Sequence, residues 1–197
     1  MGKRTGSIKR DTAETQISLT LDLDGSGAAR IATGVEFFDH MLTLLARHAL
    51  FDLTVDAHGD IGVDAHHTVE DVGICLGAAL AEALGDKRGI VRYGHFLLPM
   101  DESLARIALD LSGRAHLEWR AVMPAEKCGS FDTCLGREFM RALCANGGVN
   151  MHVDLLAAAD PHHALEAIFK GVGRSLRMAV ARDPNERGIP SSKGVLA

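Results

Sequence analysis

The pattern His-His-x-x-Glu occurs twice in the sequence, as His66, His67 and Glu70 and again as His162, His163 and Glu166. An acidic residue, Asp64 or Asp160, stands two positions before each copy. On a helix, side chains three or four apart share a face. Glu70 can therefore join His66 or His67 around one ion, and Glu166 can join His162 or His163. Adjacent helical residues diverge by about 100°, so the two histidines of a pair are expected to serve different ions. One copy alone would read as an ordinary polar helix start. Two copies, each behind an acidic cap, point to metal binding.

Other residues complete a ligand count. His40 lies in the amphipathic stretch 35–50, with His48 two turns later. His152, with Asn150 and Asp154, lies on the polar face of a strand whose other face is apolar. Three imidazoles and one carboxylate for each of two ions need six histidines and two glutamates. His40, His66, His67, His152, His162 and His163, with Glu70 and Glu166, supply that set. Imidazole and carboxylate together suit Mn, Fe, Co, Ni or Zn. The absence of cysteine from this set argues against a structural zinc site. An ion with open positions is a Lewis acid.

The elements that must carry these residues come in two similar series. Residues 16–23 alternate and end at Asp24-Gly25, which predicts a strand and a turn. Residues 35–50 have helical spacing, 53–57 read as a strand, and a helix runs from a cap at Asp64 to near Gly85. In the second series Ile107, Leu109 and Leu111 alternate before Ser112-Gly113, and Leu117, Trp119, Ala121 and Met123 alternate again. Helical spacing over 133–145, a strand through Val149–Leu155 and a helix capped by Asp160, with Pro161 in its first position, follow. The run from Glu14 to LDLDG at 21–25 recurs from Glu102 to LDLSG at 109–113. These repeats predict one α+β domain over 1–197, made of two similar halves (about 8–90 and 91–185) with a C-terminal tail, 186–197.

Composition narrows the class. Hydrophobic residues make up 47% of 197, and the net charge is −5 with both signs interspersed. No basic face is expected, which argues against nucleic acid. No apolar run reaches the roughly 18 residues of a membrane helix, and MGKRTGSIKR lacks the apolar core of a signal peptide. Cys75, Cys128, Cys134 and Cys144 form no C-x-x-C pair and read as free thiols of a reducing cytosol. A cytoplasmic protein with no membrane partner is expected.

Several segments together resemble the imidazoleglycerol-phosphate dehydratase family: EFFDHML at 36–42, DAHHTVEDVG at 64–73, ALGDKRGI at 83–90, PMDESLAR with DLSGR at 99–114, NMHV at 150–153, PHHALEAIFK at 161–170 and IPSSKGVL at 189–196. The chain departs from the family at Ala65, where an acidic residue is usual, at Thr43-Leu44, where Asp-Gln is frequent, and at Ala49, where Gly commonly follows His48. None of these removes a metal-ligand candidate, though Leu44 takes the place of a polar substrate contact. The resemblance implies a half-domain of one four-stranded sheet with helices on one face, present twice. It implies two Mn2+ per subunit, with sites shared between chains, and a homo-oligomer of 24 subunits built from trimers. It also implies a carbon–oxygen lyase (a hydro-lyase) of histidine biosynthesis that converts imidazoleglycerol phosphate into imidazole acetol phosphate.

The chemistry fits the ligand set. The substrate must lose hydroxide and a carbon-bound proton that no carbonyl acidifies, so the imidazole ring is the electron source. Cations on its nitrogens favour the imidazolate, which expels the neighbouring hydroxyl to give a diazafulvene-like species, and a base then takes the adjacent proton. Glu14 resembles the family's acid/base carboxylate; His40, His66, Glu70 and Glu166 are expected to take part through the metals. Arg92, Arg114, Lys170, Ser191, Ser192 and Lys193 resemble its phosphate-binding groups, for which the arginine fork is suited. The alternatives are a metal-dependent hydrolase of a phosphorylated small molecule and a metal-storage protein.

Overall fold

The computed structural model describes residues 2–196; Met1 and Ala197, the ends of the expected single domain, lie outside the described residues. The first half runs β1 (Thr5–Asp11), β2 (Thr15–Asp22), β3 (Ala29–Ala32), α1 (Glu36–Ala49), β4 (Asp52–Gly59) and α2 (His66–Leu84). The second runs β5 (Tyr93–Met100), β6 (Ser103–Asp110), β7 (His116–Arg120), a short hairpin β8 (Lys127–Cys128) and β9 (Phe131–Asp132), α3 (Cys134–Gly147), β10 (Asn150–Ala157) and α4 (Pro161–Val180). Each half forms one four-stranded mixed sheet, ordered β1-β2-β4-β3 and β5-β6-β10-β7. In both, three strands are antiparallel and the last is parallel to its neighbour. The expected α+β class is the observed one, with four long helices.

Alternation explains which face is covered. Ile17, Leu19 and Leu21 of β2 are buried, as are Ala105, Ile107 and Leu109 of β6, while the residues between them face outward. α2 lies on β1 and β2, and α4 on β5 and β6. The helices also pack across the halves, α1 on α4 and α2 on α3, so they share one hydrophobic core between the sheets. Glycine permits both kinds of approach. A Cβ on Gly6 would lie 2.1 Å from the Ala79 carbonyl oxygen, and one on Gly94 1.9 Å from that of Ser175. Between helices, a Cβ on Gly77 would come within 2.6 Å of Leu143 O, and one on Gly173 within 2.6 Å of Leu45 O. The duplication thus reaches to single backbone contacts.

Two expectations need correction. The alternation from Leu117 to Met123 predicts a longer strand, but β7 stops at Arg120. Its parallel pairing with β10 ends at Arg120↔Asp154, and β10 then breaks register between Leu155 and Ala157. Beyond that point Trp119 Nε1 donates to Ala121 O and Val122 is 88% exposed. The second correction concerns Asp64. The residue flanking α2 is Ala65; Asp64 acts from one position further out, accepting from the His66 N–H at 2.7 Å. Asp160 caps α4 as expected, accepting from the His162 and His163 N–H groups.

Candidate metal centre

Three predicted ligands converge where α1 crosses the start of α4. His162 and Glu166 stand one turn apart on α4, and the α1–α4 packing brings His40 to them. His40 Nε2 lies 2.9 Å and His162 Nε2 3.0 Å from Glu166 Oε1. Among the described residues this is the one group of three such side chains whose ligand atoms all lie within 4.8 Å of one another. Glu166 is 6% exposed. Its other oxygen is paired with the Lys170 ammonium, one further turn along α4. Burial pushes the Glu166 pKa up, but the bonds from Lys170, His40 and His162 outweigh it and hold the pKa down at about 2. The carboxylate therefore stays charged near neutrality, as a cation ligand must.

The neighbouring histidines diverge as helical geometry requires. The His162 and His163 rings are 6.1 Å apart and inclined at 81°; those of His66 and His67 are 6.1 Å apart and inclined at 87°. His163 Nδ1 sits 2.8 Å from Glu102 Oε2, and its Nε2 lies 3.7 Å from Asp101. His67 Nδ1 sits 3.0 Å from Asp60 Oδ2, and its Nε2 lies 3.8 Å from Glu14 Oε1. The bond to Asp60 raises the His67 pKa, and the bond to Glu102 raises that of His163.

The corresponding corner of the first repeat is built differently. His66 Nε2 is 3.7 Å from Glu70 Oε2. Glu70 Oε1 instead accepts from Arg141 Nη2 at 2.6 Å, and Arg141 also donates to Glu138 at 2.8 Å. α1 and α3 are both 14 residues long, and Glu138 is the fifth residue of α3 where His40 is the fifth of α1. An ion-pair network thus occupies the place of the histidine.

The remaining candidates are spread over the chain. His152 faces outward from the second sheet, its ring 5.9 Å from that of His116. Asp154, two residues on, is held by Arg106 and Arg120. Arg92 makes a two-point bond to Asp110, at 2.7 and 2.9 Å, and donates to Pro190 O at 2.8 Å. It thereby pins the tail that carries Ser191, Ser192 and Lys193. The Arg92 backbone N–H bonds to Ala179 O, near the end of α4. Thirteen residues of helix separate Ala179 from Glu166, about 20 Å at the α-helical rise. Arg114 follows the β6 turn, its N–H on Ser112 Oγ at 3.3 Å. Of the phosphate candidates, Lys170 is the one beside the His40–His162–Glu166 group. Leu44 is partly buried against the core, and the Thr43 hydroxyl donates back to Asp39 O. Sequence reasoning missed Asp60 and Arg141. Glu102 was visible as the repeat partner of Glu14, but nothing in its spacing named His163 as its contact.

Known proteins match this chain over nearly its full length. The family described as "Imidazoleglycerol-phosphate dehydratase" matches residues 33–176. The imidazoleglycerol-phosphate dehydratase of Methylorubrum extorquens is 58% identical over 194 residues, covering 98% of this chain and all of the relative. That of Desulforamulus reducens is 56% identical over 196 residues, with both chains fully covered. The crystal structure of the Staphylococcus aureus enzyme is similar with a TM-score of 0.83 at 40% identity, covering 91% of this chain and 99% of that one. A Pyrococcus furiosus structure of the same family has a TM-score of 0.83 at 31% identity, covering 96% and 100%.

Proposed function

The chain belongs to the imidazoleglycerol-phosphate dehydratase family, hydro-lyases of histidine biosynthesis, and from that premise we propose how its residues divide the dehydration of imidazoleglycerol phosphate. The observation that carries the proposal is the meeting of His40, His162 and Glu166 around one point. Two imidazole nitrogens and one carboxylate oxygen charged near neutrality, in a half-buried corner, fit a divalent transition ion.

We assign two Mn2+ per subunit to eight ligands: His40, His66, His67, His152, His162, His163, Glu70 and Glu166. Bound there, the metal supplies positive charge to the substrate's ring nitrogens, so that the ring can help expel the hydroxyl. Glu166 holds its charge in place through Lys170. Glu14 is 56% exposed at its side chain and stands at the Nε2 edge of His67. It is free to carry the proton between the substrate carbon and solvent. The substrate loses one hydroxide and one carbon-bound proton, and the resulting enol becomes the ketone.

The phosphate is assigned to Arg92, Arg114, Lys170, Ser191, Ser192 and Lys193. Arg92 and the tail are anchored about 20 Å along α4 from Glu166, farther than a small substrate reaches. A substrate on one chain's ligands, beside that chain's Lys170, therefore takes its contacts to Arg92, Ser191, Ser192 and Lys193 from a neighbour. The same sharing lets His152, which faces away from the other ligands, complete a neighbour's site. Both needs favour a homo-oligomer, with 24 subunits built from trimers as the assignment. Among the described residues no helix is long and apolar enough to cross a membrane; the cytoplasm is the assigned location.

The test is direct. Manganese-loaded protein is mixed with imidazoleglycerol phosphate and the ketone product is followed. His40→Ala and Glu14→Gln should each abolish turnover, the first with loss of bound manganese and the second with manganese retained. Full activity in His40→Ala, or release of inorganic phosphate in place of the ketone, would overturn the assignment.

A further inference from the structure

We propose that Asp60 and Glu102 are positioning residues, each gripping the Nδ1 of one motif histidine, His67 or His163, so that the ring presents its Nε2 lone pair outward to a metal ion. The inference rests on the ligand assignment above and adds to it which nitrogen binds and what selects it. A neutral imidazole carries one hydrogen, and the partner of one nitrogen decides the role of the other. Asp60 lies 3.0 and 3.2 Å from His67 Nδ1 through its two oxygens, and Glu102 lies 2.8 Å from His163 Nδ1. A carboxylate can only accept there, so the hydrogen sits on Nδ1 and Nε2 is left bare.

The two carboxylates do not correspond in the repeat. Glu102 belongs to the turn between β5 and β6, and its repeat partner is Glu14, in the turn between β1 and β2. Asp60 belongs to the loop between β4 and α2, four residues before Asp64. Four residues before Asp160 stands Leu156, whose side chain cannot accept a hydrogen bond. In the second half the hairpin glutamate must therefore grip the ring itself. It is fixed for the task by bonds from the Ser103 hydroxyl at 2.8 Å and the Asp160 N–H at 3.1 Å. In the first half the loop aspartate has taken over Nδ1, and Glu14 is displaced to the Nε2 side, 3.8 Å away. The Asp60 N–H also bonds to Glu14 O at 3.1 Å, which keeps the two side by side. The division of labour follows: Asp60 grips so that Glu14 is free for proton transfer, whereas Glu102 grips and performs no proton transfer.

The experiment uses the full chain, first without metal. Histidine 15N spectra at about pH 9, above the imidazole range, should place the hydrogen of His67 and His163 on Nδ1. Asp60→Ala should move it to Nε2 for His67 alone, and Glu102→Ala for His163 alone. Hydrogen on Nε2 in the unmodified chain, or spectra unchanged by both substitutions, overturns the proposal. Manganese binding is then titrated by electron paramagnetic resonance. Asp60→Ala and Glu102→Ala should each weaken it about 10–100-fold, while Glu14→Ala leaves affinity unchanged and lowers kcat. If His163→Ala weakens binding and Glu102→Ala does not, the positioning role is wrong and the ligand assignment stands. If His163→Ala itself leaves binding unchanged, the ligand assignment fails first. Circular dichroism checks folding. Should Glu102→Ala not fold, Asp60→Ala decides the outcome, because among the described residues the Asp60 side chain bonds only His67.

Discussion

The corner where α1 meets α4 and the corner where α2 meets α3 descend from one plan and have been put to different uses. At the first, Glu166 is 9% exposed at its side chain and gathers His40, His162 and Lys170. At the second, Glu70 is 29% exposed and bound to Arg141, with His66 left at 3.7 Å. Three exchanges separate them: His40 against Glu138 and Thr43 against Arg141 at the fifth and eighth positions of the crossing helices, and Lys170 against Ile74 one turn beyond the motif glutamate. A histidine at the fifth position adds a ligand and no fixed charge. A glutamate there brings a second carboxylate, which Arg141 must neutralise. Duplication supplies two frames of the same shape, and the few charged groups placed around each motif glutamate decide which of them gathers ligand atoms within one chain.

The comparison is broken most severely by removing metal. If the open corner is completed by a neighbouring chain, chelation should reduce the assembly to much smaller species, trimers by light scattering, and manganese should restore the large one. The same mass with and without metal would reject shared sites. Ligation needs neutral imidazole, so acid should act in the same direction as chelation.

Next in size is the contrast between the two glutamates. Glu166→Gln leaves the partly buried Lys170 without its carboxylate partner, a change that costs about 2–4 kcal/mol, less than a fully buried pair would. Glu70→Gln loosens a largely solvated pair, worth about 0–1 kcal/mol. Denaturant midpoints of the metal-free proteins measure both, and equal losses would remove the distinction between the corners.

The sheets offer a third contrast. Asp154 and Asp56 are the fifth residues of β10 and β4. Asp154 faces Arg106 and Arg120 across the ladder; Asp56 faces Ser18 and Ala32. The bonds from Arg120 and Arg106 depress the Asp154 pKa below its ordinary 3.8 against the opposing effect of burial. A depressed folded value means stability that is present above the unfolded pKa and lost as pH falls through the folded one. Asp154→Asn should therefore cost about 1–3 kcal/mol near neutrality, with the difference shrinking below pH 4, and Asp56→Asn should change little. Urea midpoints taken from pH 6 down to pH 2 test this.

The smallest effect concerns the ends of α1 and α3. Leu50 and Gly148 both adopt left-handed backbone, at φ 58° and 61°. A Cβ on Gly148 would sit 2.9 Å from Gly113 Cα. Gly148→Ala should cost about 1–2 kcal/mol from the left-handed conformation alone, with crowding added. Leu50→Ala, which leaves the backbone requirement as it is, should cost less. Thermal melting that ranks them the other way would contradict this account of the caps.

How much was legible beforehand follows from the range of each interaction. α1, α2, α3 and α4, and the strands β2, β4, β6 and β10, have periodic apolar patterns because one face of each meets the shared core. β1 and β5 escaped because they are edge strands with glycine where a helix lies against them; β1 is otherwise mostly polar, and β5 carries apolar residues on both faces, so neither alternates cleanly. β3 is only four residues long. The paired motifs and the divergence of adjacent histidines could also be read directly, since both are local properties of a helix. What the tertiary structure alone decided is which distant groups meet them. His40 reaches Glu166 across 126 positions because α1 packs on α4. Glu102 reaches His163, and Arg141 takes Glu70, through contacts between elements far apart in the chain. Residue types and their spacing pointed to a metal site built on paired histidines and a glutamate. The packing of one half on the other decided which carboxylate meets two histidines, which meets one and which is spent on an ion pair, because only packing sets the distance between side chains that no helical turn or strand register connects.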